Sequence, residues 1–168
     1  LEEPGRRYLE ERNQAAAAEI AASEKPDLSG YDPQMVDFVY RIVRTHRNIS
    51  GPEEITTWDL GQITSLTLDY LAAGTEYFQE HGEYPVLDSG ILRLMPNLRS
   101  FTSYCPLSDY SVFEGMDLET MTLSLESEEA VLDFSNLCIG HTKRLNIENF
   151  RQDIALDLSH SKVDTLSF

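Results

Sequence analysis

Four histidines and two cysteines are the side chains through which this chain could do catalytic chemistry. His46, His81, His141 and His160 are widely spaced, and no H-x-x-x-H pair, G-x-S-x-G elbow or glycine-rich phosphate loop accompanies them. Cys138 and His141 stand close together. A Cys/His nucleophile needs an oriented base and usually a third group, and no third group is legible nearby, so Cys138 reads as a packed thiol. An enzyme would require a deep pocket at His141 or His160 with an oriented carboxylate. Cys105 and Cys138 are too few for a disulfide scaffold, lack zinc-site spacing and are predicted to be free thiols. No loop of alternating carboxylates suits Ca²⁺. The expectation is therefore no catalytic residue, no cofactor and no metal.

Binding chemistry is better represented. Residues 71–90 read as an insertion that gathers Tyr77, Phe78, His81 and Tyr84 between turn residues, and inserted loops commonly carry recognition. A helix over residues 75–81 that packs Tyr77 and Phe78 inward is the competing explanation. Arg41, Arg44, His46 and Arg47 crowd the end of a predicted helix, where cations complement the dipole and can pair with an acidic remainder.

Charge narrows the partners. The 168 residues carry 13 Lys+Arg against 29 Asp+Glu, a formal net charge of −16. Nucleic acid is excluded as a partner, since phosphate contacts need a basic face, and anionic lipid is disfavoured for the same reason. No apolar run reaches the roughly eighteen residues of a membrane span. The acidity is uneven: residues 1–50 are net −2 and residues 51–168 net −14.

Three stretches must position these groups. Residues 1–30 read as a solvated helical tail or linker, helix-forming from Arg6 to Lys25 and closed by Pro26 and Gly30. Residues 31–62 read as a helical N-terminal cap. Asp32 is its N-cap, Pro33 its first helical residue, and Met35, Val36, Val39, Ile42 and Val43 recur at helical spacing. A short strand after Gly51-Pro52 and a Thr-capped helical turn with Trp58 as a packing plug complete it. Residues 63–168 read as repeats. Apolar-x-apolar pairs fall at Leu66/Leu68, Met121/Leu123, Leu145/Ile147 and Leu166/Phe168, with a degenerate Phe101/Ser103, at intervals of 35, 20, 24 and 21 residues. The last three lie within the roughly 20–29 residues of leucine-rich repeats, and the first is one repeat plus the insertion.

The segment from Met35 to Leu68, with Ile55, Thr56, Asp59, Leu60, Ile63, Thr64, Leu66 and Leu68 in register, resembles the N-terminal cap and first strand of bacterial leucine-rich-repeat proteins of the internalin type. The resemblance is specific over residues 31–70 and loose to 168. It implies an α/β leucine-rich-repeat solenoid with a concave parallel sheet and an α-helical cap. It also implies a secreted or cell-surface bacterial protein, anchored through a segment upstream of Leu1, whose role is to bind a protein ligand. In that setting the N-glycosylation pattern Asn48-Ile49-Ser50 is idle.

Alternation along the strands then predicts outward columns: Ser65, Ser100, Thr120, Arg144, Thr165; Thr67, Thr102, Thr122, Asn146, Ser167; and Asp69, Tyr104, Ser124, Glu148. Tyr104, Arg144, Asn146 and Glu148 join Tyr77, Phe78, His81 and Tyr84 as the predicted protein-binding residues. The acidic Glu126, Glu128, Glu129, Asp133 and Asp153 fall in connecting segments and read as a solvated surface. No polar cap follows Leu166/Phe168, so homo-association through the C-terminal edge is the alternative role.

Overall fold

The computed structural model describes residues 3–69, 79–82, 84–125, 131–148 and 153–168. Helix α1 spans Glu3–Ala22, α2 Pro33–Arg44 and α3 Thr57–Gly61. The strands are β1 Ser65–Leu68, β2 Ser100–Ser103, β3 Asp117–Ser124, β4 Val131–Phe134, β5 His141–Glu148, β6 Asp153–Leu156 and β7 Val163–Ser167. Short 3₁₀ turns occupy Pro52–Glu54, Gly90–Leu94 and Tyr110–Phe113.

Helix α2 begins where its sequence requires. The Asp32 carboxylate accepts from the Gln34 and Met35 amides, Pro33 occupies the first turn, and Met35, Val39 and Val43 are buried. Thr56 and Asp59 form a reciprocal capping box on α3. The short strand expected after Gly51-Pro52 is instead the 3₁₀ turn, with proline setting its first φ. Helix α1 is tied down at its end: Trp58 Nε1 donates to Glu19 at 2.8 Å, and the Thr57 amide donates to the Glu24 carbonyl at 2.8 Å.

Five strands form a parallel sheet in the order β1-β2-β3-β5-β7, and β4 and β6 form a separate two-stranded parallel sheet. Leu66 aligns with Phe101, Met121, Leu145 and Leu166 across the large sheet. The first four of these are buried, each worth about 1.5–3 kcal/mol of burial. Phe113 meets Phe101 at 4.9 Å between ring centroids, and Tyr110 meets Phe134 edge-on at 5.1 Å.

The expected leucine-rich-repeat solenoid is corrected here to an α/β fold built from these two parallel sheets and the helices. A solenoid repeats one unit, whereas here the connections differ in kind. A 3₁₀ turn precedes β2 and another precedes β3, but strands β4 and β6 lie before β5 and β7. Even the two segments most alike in sequence are offset. Asp133 and Asp157 each accept from the amide two residues on, so their turns correspond at a spacing of 24, yet β4 pairs with β6 at a spacing of 22. Apolar pairs located the sheet strands and were silent on what joins them.

Strands β3 and β5 also break alternation. Leu118 and Met121 are both buried, as are Thr142 and Leu145, which leaves Glu119/Thr120 and Lys143/Arg144 facing outward side by side.

Candidate protein-binding surface

The outward columns lie in hydrogen-bonded register: Ser65, Ser100, Thr120, Arg144 and Thr165 in one, and Thr67, Thr102, Thr122, Asn146 and Ser167 in the next. Asn146 is committed within the sheet, since its amide nitrogen donates to Thr122 Oγ1 at 3.1 Å and its amide oxygen accepts from the Ser167 hydroxyl. Arg144 is exposed and forms no ion pair with any described residue. Glu148 is exposed opposite Ser124, and Tyr104 is 42% exposed just beyond β2. Arg144, Asn146 and Glu148 therefore share one strand. Of the insertion residues, Tyr77 and Phe78 lie outside the described residues, as do Glu126, Glu128 and Glu129. His81 is exposed, whereas Tyr84 is half-buried against the core.

A charged row that sequence reasoning missed crosses the starts of three strands. His141 Nδ1 lies 2.6 Å from Asp117 on β3, and its Nε2 lies 3.1 Å from Asp164 on β7. Hydrogen bonds to Asp117 and then Asp164 raise the His141 pKa above its ordinary value, and the His141 bond holds Asp117 below the usual carboxylate range. Arg99 and Lys143 extend the row through Asp117 at 3.4 Å and Glu119 at 3.2 Å. Only the strand register, with Asp117 opposite His141, makes the row visible.

His141 thus has oriented carboxylates. Both ring nitrogens lie within hydrogen-bond reach of a carboxylate, so the imidazole bridges β3 and β7. A shallow depression of about 460 Å³ beside it is lined by Glu119, Thr120, Lys143, Arg144, Asp164 and Thr165. Both cysteines are free. Cys138 Sγ points at the His160 carbonyl, 3.2 Å away, and not at His141. Cys105 Sγ donates to the Asp69 carbonyl at 3.6 Å, and burial, with Asp69 nearby, pushes its thiol pKa up to about 12. Among the described residues no group of three or more His, Cys, Asp or Glu could hold a metal ion, and no helix is long and apolar enough to cross a membrane.

Both β1 and β7 are edge strands of the large sheet. Before β1, Asp59 is enclosed: Arg47 donates to its carboxylate through Nε at 2.7 Å and a terminal nitrogen at 2.6 Å, and the Thr56 amide and hydroxyl donate at 2.8 and 3.0 Å. At the other end, β7 pairs only with β5 among the described residues. Its inward-column residue Leu166 is 37% exposed and the following Phe168 is 59% exposed. Ile154, Leu156 and Leu158, in and after β6, are half-buried against the core. No family model, curated protein or solved structure matches the chain.

Proposed function

We propose that the chain is a non-catalytic protein-interaction domain that accepts an extended strand of a protein partner along the free edge of β7. The exposure of apolar side chains along the β7 edge carries this reading. Among the described residues β7 pairs only with β5, and its free side runs beside exposed Leu166 and Phe168. The sheet also supplies a rule for what fits. Ser65-Leu66-Thr67-Leu68 and Thr120-Met121-Thr122-Leu123 alternate hydroxyl outward and apolar inward, and Thr165-Leu166-Ser167-Phe168 continues the pattern. A partner strand with the same alternation places apolar groups over Leu166 and Phe168. A second copy of the chain is one such partner, because its own β7 has that alternation. The reading extends to a secreted or surface location, which rests on the resemblance of residues 31–70.

The test uses a fluorescent peptide with the sequence of residues 119–125, Glu-Thr-Met-Thr-Leu-Ser-Leu. Fluorescence anisotropy is expected to report binding to the wild-type chain and a loss of about tenfold or more in Leu166→Lys, equivalent to about 1.4 kcal/mol. A peptide with hydroxyl and apolar positions exchanged is expected not to bind. Absence of binding to the wild type, or equal binding of both peptides, refutes the edge reading.

A further inference from the structure

A second surface lies at the opposite end of the chain, where the α1–α2 connection crosses the start of α2 and the Pro52–Glu54 turn. An open groove of about 420 Å³ has an apolar floor of Pro26, Leu28, Tyr31, Pro33, Val36 and Pro52. Leu28, Tyr31 and Val36 pack against the buried core, so the floor is preformed. The connection is held in shape as well. The Tyr31 amide donates to the Leu28 carbonyl at 3.2 Å, the Ser29 amide to Asp27 Oδ1 at 3.0 Å, and Asp32 caps the helix that follows.

Among the described residues the only charged groups lining the groove are Asp27 and Glu53. The arginines of α2 and its end are committed elsewhere, Arg41 to Asp37 at 2.6 Å, Arg47 to Asp59 at 2.6 Å and Arg44 over the Tyr40 ring, and Lys25, beside Pro26, forms no ion pair with a described residue. Among the described residues neither Asp27 nor Glu53 has an ion-pair partner, and the Ser29 hydrogen bonds hold Asp27 below the usual carboxylate range. An apolar floor with two uncompensated carboxylates matches a side chain with a long aliphatic stem and a cationic head, the stem lying on rings and the head staying at the wet rim. We propose that this groove is a docking site for a lysine- or arginine-bearing segment of a partner protein. The cation's stem lies across Tyr31 and the prolines, and its head is drawn to Asp27 and Glu53. The site is separate from the β7 edge and stands or falls without it.

The test follows backbone amide shifts of residues 26–36 and 51–54 in the full chain during titration with three peptides, acetyl-Leu-Pro-X-Leu-amide with X as lysine, norleucine or glutamate. The lysine peptide is expected to move these amides and to bind about tenfold more tightly than the glutamate peptide. Asp27→Asn with Glu53→Gln is expected to weaken the lysine peptide several-fold and leave the norleucine peptide unchanged. The Asp27→Asn change keeps a side-chain oxygen to accept from the Ser29 amide, so the turn survives. A lysine peptide that moves no groove amide overturns the proposal. So does equal binding by norleucine, which would make the groove a purely apolar site, or lysine binding that survives the double substitution.

Discussion

Removing the Asp59 carboxylate is the sharpest test of how the end of α2 is joined to α3. Asp59 is fully enclosed and its Arg47 partner is 21% exposed. Burial opposes ionisation of Asp59, but the Arg47 guanidinium and the Thr56 amide and hydroxyl outweigh it, and the carboxyl titrates below its ordinary range. Asp59→Ala removes two charge-assisted bonds to Arg47 and the acceptor for Thr56. Breaking a buried pair from one side costs about 3–5 kcal/mol. Arg47 is partly wet and retains the Glu54 carbonyl at 2.6 Å, so the low end of that range applies. With about 1 kcal/mol for the capping box, the expected loss is about 3–4 kcal/mol. Urea denaturation read by fluorescence of Trp58, the single tryptophan, checks it. With a slope of about 2 kcal/mol per molar, the midpoint falls by about 1.5–2 M. Arg47→Met with Asp59→Leu is expected to recover most of that loss, because neither charge is then stranded. The Asp59 contribution is complete above the ordinary carboxyl value and lost as pH falls through its lowered value. A midpoint drop below about 0.5 M, or a double variant as unstable as the two losses added, refutes the reasoning.

Three other outcomes are expected. The His141 bridge has a raised folded pKa, so its stabilisation is full below the ordinary imidazole value and is lost as pH rises through the raised one, while Asp117, with a lowered pKa, loses its share only in acid. Wild type should therefore exceed His141→Gln in melting temperature at pH 6 by more than at pH 9, and a constant gap contradicts the bridge. Gly140→Ala places a methyl 2.7 Å from the Met116 carbonyl and 2.9 Å from Gly115 backbone atoms, which should cost about 1–3 kcal/mol in chemical denaturation. A neutral effect would mean the backbone there yields freely. Buried Cys105 should resist iodoacetamide at pH 8 until the chain unfolds, with Cys138 modified first; the reverse order refutes its placement.

Local signals were legible in the sequence where one residue type answers one local need. Asp32-Pro33 set the start of α2, the Thr56/Asp59 box set α3, and apolar pairs located the strands of the large sheet in register. The solenoid expectation failed because those pairs report one buried face and say nothing of the connections, where β4 and β6 form their own sheet. The outward columns were legible from alternation, yet Asn146, read as a ligand residue, spends its amide on Thr122 and Ser167. The Asp117–His141–Asp164 row was hidden because its members come from three strands, and a phase break in β3 and β5 sets which residues face outward beside it. The groove was hidden for a related reason: its floor joins a connection, a helix start and a 3₁₀ turn that no single periodicity spans.

Amide hydrogen exchange across Val163–Ser167 shows whether β7 is an edge open to a further strand. Exchange is measured in dilute protein, in concentrated protein and with the residue 119–125 peptide. The β7 amides are expected to exchange faster than those of β5 in dilute solution, and to slow on addition of the peptide while β1 is unchanged. Slowing with protein concentration alone would identify a second copy as the strand donor. Exchange at β7 that is already as slow as at β5, or that no added strand alters, would contradict an open edge.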